Sequence, residues 1–355
     1  MNKSKLLILK NELSSYNVSV YNRIAEEYDL TVGFFSDKSK ENCYFKKMLF
    51  DIKRIGPFVF VQRLFRIVRG YELVCFVPDL HIISYCMLPF LPRKFKLLNW
   101  SIGFRVSYVH PYLTGRKHVF LDWVFQRVLS RCDASIFYME RAKDFWQNTS
   151  LNLNRVFVAP NTTSVVPIGF DEKRKKNFLF VGTLYKGKGL NLLLKAYKEA
   201  IDIAQIDNEL HIVGDGEEYQ NIIAFVKDNQ LEGKVVLHGA IFDEIELAKH
   251  FADALLCISP TQGGLSVPKS MGYGVPFVTK SSAITGGEIF HITPGDNGIL
   301  YDEDKELSGI LVDACRNPKK YLAMGRKAKQ YYDDNATIDH MAKGAIAAFD
   351  FALNH

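Results

Sequence analysis

The sequence predicts an α/β protein made of two doubly wound domains, each with a parallel sheet covered by helices on both faces. Three observations carry this. Short apolar runs of strand length alternate with amphipathic helical segments along most of the chain. Glycine-bearing turns close the strands of the second half. The length of 355 residues favours two domains over one, and a hydrophobic content of 48% is enough to fill two cores.

In the first half, Leu6-Leu7-Ile8-Leu9 reads as a strand, Val20 to Tyr28 as a helix, and Leu30 to Phe35 as the next strand. Leu73 to Val77 is a further strand, followed by a helix from about Leu80 to Leu88. Phe95 to Trp100 is a strand entering a turn at Gly103, Val119 to Leu129 a helix, and Ala134 to Tyr138 a strand. Val156 to Asn161 closes this half. Thr162 to Lys176 contains Pro167, Gly169 and the run Asp171-Glu172-Lys173-Arg174-Lys175-Lys176, which reads as a linker with a solvated charged face.

The second half is cleaner. Phe178-Leu179-Phe180-Val181 is an apolar strand running into Gly182-Thr183-Leu184. The basic glycine loop Lys186-Gly187-Lys188-Gly189 precedes a helix from Leu190 to Ala200. Leu210 to Val213 is the next strand and Gly214-Asp215-Gly216 its turn. Ser259 to Ser266, with Gly263 and Gly264 inside, leads into a helix ended by Gly274-Val275-Pro276. Met341 to Leu353 is an alanine-rich terminal helix.

Composition excludes several classes. A net charge of +6, from 45 basic and 39 acidic residues, gives no reason to expect a nucleic-acid partner. The six cysteines form no C-x-x-C pair and several lie in apolar runs, so buried free thiols are expected rather than disulfides or a metal site. The start, Met1 to Lys5, is polar and lacks the apolar run of a signal peptide. No segment approaches the roughly 20 apolar residues of a membrane span. The expectation is a cytoplasmic protein, peripheral contact with the inner face of the membrane staying open. Asp302-Glu303-Asp304 has the look of a D-x-D metal motif, but it stands before the helix Glu306 to Cys315, where acidic residues serve as caps. No metal is expected.

A diphosphate needs backbone N–H donors and usually a cation. Gly182, Gly187 and Gly189 let backbone come close, and Lys188 can supply the charge. The bland alternative puts Lys186 and Lys188 on the surface of an ordinary loop. Gly214-Asp215-Gly216 fits either a nucleotide-lining turn or a tight strand-to-helix turn. Gly263-Gly264-Leu265-Ser266 fits either an anion-facing loop before a helix or a structural turn. Glu288, after Gly286-Gly287, reads equally as a carboxylate near this site and as a helix-start residue.

This order of strands and loops resembles the C-terminal half of GT-B glycosyltransferases of the large retaining group called family four, the glycosyl transferases group 1. Lys188-Gly189, Gly214-Asp215-Gly216, Gly264-Leu265 and Gly274-Val275-Pro276 match the family pattern, and Gly298-Ile299-Leu300-Tyr301 matches it weakly. The likeness covers about 165–335. It implies two Rossmann-like domains facing each other across a cleft. Residues 1–165 would bind the acceptor, 166–335 the nucleotide-sugar, and 336–355 would form a terminal helix crossing back to the first domain. It further implies sugar transfer to a polysaccharide or lipid-linked glycan, without a cofactor because the nucleotide-sugar is a substrate. Lys188 would hold the diphosphate and stabilise the leaving group. Gly182 and Thr183 belong to the first turn, Gly214 and Gly216 to the nucleotide pocket, and Gly263, Gly264, Leu265 and Ser266 to the loop against the donor sugar and phosphates. A phosphate oxygen of the leaving group can accept the acceptor's proton, so no protein base is required.

The chain departs from the family at four places. The arginine of the first turn is Thr183. The two glutamates that contact the sugar and the ribose are Thr261 and Lys269. A histidine of the N-terminal domain aligns with Ile102. The resulting excess of positive charge leaves three readings: Lys269 takes over the arginine's role at the diphosphate, the donor carries extra negative charge, or catalysis is lost and the protein is a binding partner in glycan assembly. Asp79, His81 and His110 are acid–base candidates in the first half, although a histidine near a strand end is more often structural than catalytic. The segment Lys53 to Arg69 mixes cations and aromatics. Its Leu64, Phe65, Ile67 and Val68 would face one side of a helix, and Arg63, Arg66 and Arg69 another, a surface suited to anionic lipid. Leu88 to Lys96 adds a second basic, apolar patch. The alternative is a helix packed on its own domain with snorkelling cations.

Overall fold

The computed structural model describes residues 3–104, 119–169 and 171–355. They form two compact units: residues 3–104, 119–161 and 337–355 in one, and 162–169 and 171–336 in the other.

The first unit holds seven parallel strands: β1 (Lys5–Leu9), β2 (Asp29–Phe34), β3 (Lys46–Leu49), β4 (Leu73–Phe76), β5 (Lys96–Ser101), β6 (Ala134–Phe137) and β7 (Val156–Val158). Their order across the sheet is β7-β6-β5-β4-β1-β2-β3. β1 from Leu6 on and all of β4 are apolar because both their faces are covered. The helices Ser15–Ala25 and Ile338–Asn354 cover one face with Val18, Tyr21, Ile24, Met341, Ala345 and Phe349. Leu64, Tyr85, Leu88 and Val128 lie on the other. The alanine-rich terminal helix comes so close to the sheet that a Cβ on Gly344 would fall 2.1 Å from the Val158 carbonyl oxygen.

The second unit has six parallel strands: β8 (Asn177–Val181), β9 (Leu210–Val213), β10 (Val235–Gly239), β11 (Ala254–Ile258), β12 (Phe277–Lys280) and β13 (Gly298–Tyr301). Their order, β10-β9-β8-β11-β12-β13, repeats the Rossmann pattern of the first sheet. The helices Leu190–Ala204, Tyr219–Asp228 and Glu306–Arg316 pack on one face, and Glu244–Asp253, Ser266–Gly272 and Pro318–Asn335 on the other.

Three expectations are corrected. Lys53 to Arg69 is not one helix. Ile52–Ile55 and Phe58–Val61 form an antiparallel hairpin, followed by a single helical turn at Leu64–Ile67. The cause is local: Gly56, at φ +55°, and Pro57 make a tight turn, and Val59 and Val61 alternate inward at strand period. The charge run is not all solvated either. Lys175 is 5% exposed, and its ammonium donates to the carbonyls of Phe251 at 3.0 Å and Tyr273 at 3.1 Å. The helix expected from Val20 starts earlier, at Ser15. All six cysteines are free thiols. Among the described residues no helix is long and apolar enough to cross a membrane.

Candidate active site

In the second sheet the chain leaves β8 for β9 and β10 on one side, then returns to β11 on the other. The gap between the carboxyl ends of β8 and β11 is therefore the topological switch point, where α/β sheets bind ligands. The first and third glycine loops flank that point, and the second stands beside them at the end of β9.

The first and second loops pack backbone on backbone. A Cβ on Gly214 would sit 1.9 Å from the Gly182 carbonyl oxygen, so only glycine fits there. Leu184 N–H donates to the Asp215 carbonyl at 2.9 Å, and Glu218 N–H to the Leu184 carbonyl at 3.0 Å. The close approach explains the Gly214-Asp215-Gly216 turn whether or not a nucleotide lies against it.

The first and third loops are stitched by side chains. The Thr261 hydroxyl donates to the Gly187 carbonyl at 2.7 Å, and the Tyr185 hydroxyl donates to Gln262. Gly189, at φ +72°, opens the helix Leu190–Ala204, whose N-terminus no side chain caps. A Cβ there would meet Thr261 at 2.9 Å. The helix thus presents its first N–H groups to the loops, the arrangement that attracts an anion.

Lys188 and Lys186 part company. Lys186 is exposed, whereas Lys188 is half-buried and folds back over Gly182, its ammonium 3.6 Å from where a Gly182 Cβ would lie. Burial pushes the Lys188 pKa down, and the Glu288 carboxylate opposes that shift. Glu288 is itself 4% exposed and accepts from the Thr285 hydroxyl at 3.1 Å. Of its two sequence readings, both apply: it opens the turn Glu288–His291 and it brings a buried carboxylate to Lys188.

Lys269 has a partner that the sequence did not reveal. Its ammonium reaches both Glu244 carboxylate oxygens, at 2.6 and 2.5 Å. Lys269 is thus neutralised by Glu244, and the Glu288 carboxylate lies near enough to Lys188 to act on its charge, so the positive excess inferred from Thr183, Lys188, Thr261 and Lys269 is offset from outside the motifs. The reason sequence reasoning missed this is that neither glutamate lies in the matched motifs. Thr183 is exposed, and Gly263 is buried while Gly264, Leu265 and Ser266 are partly exposed at the start of the seven-residue helix Ser266–Gly272.

The acidic triplet is consumed by local contacts. Asp302 accepts from the Ser281 hydroxyl, Asp304 pairs with Lys280 at 2.5 Å, and Glu303 pairs with Lys305 at 2.6 Å.

In the first unit, Asp79 and His81 stand in the loop after β4, joined at 3.0 Å and both well exposed. Ile102 follows β5 at a tight turn, and His110 lies outside the described residues. Lys10, immediately after β1, was not singled out from sequence. Burial pushes its ammonium pKa down. It lines a small cavity with Asn17, Tyr21, Trp100 and Tyr138, and the Asn17 carbonyl oxygen and Trp100 ring N–H there have no hydrogen-bond partner among the described residues. The available signal was a cation placed directly after an apolar strand.

Residues 175–317 match the family described as glycosyl transferases group 1. The chain is a glycosyltransferase of the GT-B fold. An uncharacterized glycosyltransferase of Haemophilus influenzae is 25% identical over 341 residues, 90% of each chain. A lipopolysaccharide 1,6-galactosyltransferase of Salmonella typhimurium is 31% identical over 132 residues, 35% of this chain and 34% of that one. Among solved structures, Anabaena Alr3699/HepE in complex with UDP shares the fold, with a TM-score of 0.72 over 98% of this glycosyltransferase and 99% of that chain, at 16% identity.

Proposed function

We propose that this glycosyltransferase moves a hexose from a UDP-sugar to a polysaccharide or lipid-linked glycan, with retention of anomeric configuration. The observation that carries the reading is Lys188, half-buried over the switch point at the uncapped start of a helix. The uridine assignment is supported by the fold shared with a UDP-bound protein, and the glycan acceptor by the lipopolysaccharide galactosyltransferase relative.

In this reading the diphosphate lies against the loops at Gly182 and Gly189, with Lys188 on its oxygens. Desolvation of Lys188 strengthens that contact, because charge interactions grow as water is removed. As the sugar–phosphate bond breaks, the β-phosphate gains negative charge, and the ammonium and the helix N-terminus stabilise it. A phosphate oxygen takes the proton of the acceptor hydroxyl. Thr261 orders the Lys188 loop through Gly187, and Glu288 supplies the carboxylate that the altered glutamate positions lack.

The acceptor side falls to the first unit. Its hairpin exposes Ile55 and Phe58 beside Lys53 and Arg54, a basic and apolar tip suited to an anionic membrane surface carrying a lipid-linked acceptor.

The test is a panel of nucleotide-sugars with the purified full chain, followed by proton NMR of the anomeric signal. Hydrolysis or transfer of a UDP-hexose giving first the donor's anomer is expected. Turnover of no nucleotide-sugar, or an inverted first product, would overturn the reading.

A further inference from the structure

We propose that His211, His238 and His250 form a binding site for a transition-metal ion of the imidazole-preferring class, Zn(II) foremost. The site lies on the β9–β10 side of the second unit. It is independent of the donor reading.

The three histidines are far apart in sequence and come from β9, β10 and the helix Glu244–Asp253. Folding brings one ligand nitrogen of each within 4.8 Å of the others. His238 Nε2 and His211 Nδ1 are 3.0 Å apart. Two nitrogens bound at about 2.05 Å around a tetrahedral ion stand about 3.3 Å apart. The pair is therefore near ligating spacing already, and the third nitrogen needs only a small side-chain shift.

A second observation points the same way. The Glu209 carboxylate lies 2.9 Å from His211 Nε2, the ring nitrogen turned away from His238, with the Asn177 amide at 3.2 Å from the same atom. A carboxylate beside the outer nitrogen favours a proton there, so that Nδ1, which meets His238 Nε2 in a hydrogen bond at 3.0 Å, is the lone-pair nitrogen that an ion would take over. This is the outer-shell arrangement that metal-ligating histidines use. The rings are also close together: His238 and His250 centroids are 4.3 Å apart, His211 and His238 5.0 Å.

Access and charge suit a cation. His211 and His250 open onto a cavity of about 140 Å³ whose charged lining is Glu246, Asp253 and Lys249, acidic on balance. Glu246 is one helical turn before His250 on the same helix and adds negative charge beside the site. It is paired with Lys249 at 2.6 Å, an exposed contact that costs little to exchange. Imidazole donors with a carboxylate suit Zn, Cu, Ni or Fe rather than Ca or Mg. A bound ion pins β9 to β10 and to the helix, three residues before Gly214, and so stiffens the second loop of the active site.

The experiment uses the full chain after chelator treatment. Zn(II) is titrated by calorimetry, and Co(II) is followed by visible absorption. One ion per chain and the intense d–d bands of tetrahedral nitrogen-ligated Co(II) are expected. His238→Asn and His250→Asn should each weaken binding by more than about 100-fold, and Glu209→Gln by about 10–100-fold. Melting curves without metal check that the variants fold. Absence of stoichiometric binding, an octahedral Co(II) spectrum, or affinity unchanged in the histidine variants would overturn the site. The wild-type spectrum decides by itself if a variant does not fold.

Discussion

The two sheets share one topology but end their strands differently. In the first unit the residues that follow β1, β2 and β4 are Lys10, Phe35 and Val77; in the second, the residues that follow β8, β9 and β11 are Gly182, Gly214 and Ser259. One unit meets its switch point with side chains and the other with nearly bare backbone. In the proposed reading the second unit takes the donor, and backbone N–H groups on a fixed frame suit the diphosphate common to nucleoside-diphosphate sugars. An acceptor varies from enzyme to enzyme, and side chains are what vary. The comparison teaches that the same fold is specialised at the first residue beyond each strand.

The comparison breaks most visibly at Gly214. Gly214→Ala drives a methyl into the Gly182 carbonyl at 1.9 Å and holds alanine at φ +151°. Overpacking and backbone strain together should cost more than about 3 kcal/mol, with loss of UDP binding. A thermal melt and a UDP titration check it; a variant that melts and binds like the wild type would show that the loops have slack.

Lys10 tests the other unit. Lys10→Met removes a desolvated charge, so the melting temperature should rise. Transfer to the acceptor should fall at least about ten-fold, which is about 1.4 kcal/mol of barrier, while UDP affinity stays at the wild-type level. Loss of UDP affinity would contradict the division of labour.

The hairpin sharpens the same division. Binding to anionic vesicles should fall with added salt and with Phe58→Glu, and neutral vesicles should bind little. Equal, negligible sedimentation with both vesicles would remove membrane contact from the first unit.

Smaller effects follow from the buried lysines. Lys269→Met and Glu244→Gln should be non-additive by about 1 kcal/mol in a stability cycle, whereas Lys269→Met and Thr183→Val should be additive. Lys175 has its pKa pushed down by burial to about 8, from the ordinary 10.5. Between these values the unfolded chain binds more protons than the folded one, so stability rises with pH across that window. Denaturant unfolding at pH 8 and pH 10 should show the rise in the wild type and a flatter response in Lys175→Met.

Much of the second unit was legible because strands buried on both faces are continuous apolar runs, and glycines mark where backbone must approach backbone. The Lys186–Gly189 loop between strand and helix was legible from its glycines. The exchange of partners was not: Glu244 lies 25 residues from Lys269 and meets it only through helix packing. The hairpin was misread because Leu64, Phe65, Ile67 and Val68 satisfy a helical period while Gly56-Pro57 carries the turn. Lys175 hid within a charge run, because nothing local distinguishes the one cation that points inward. The three histidines are likewise scattered until the sheet aligns them.

The most direct test of the central claim is a calorimetric titration of UDP into the wild type and Lys188→Ala. The account predicts one site per chain in the wild type and a loss of about 1.5–3 kcal/mol in the variant, the scale of a charged hydrogen bond. Wild-type affinity in Lys188→Ala, with the variant folded, would contradict it and return Lys188 to the surface of an ordinary loop.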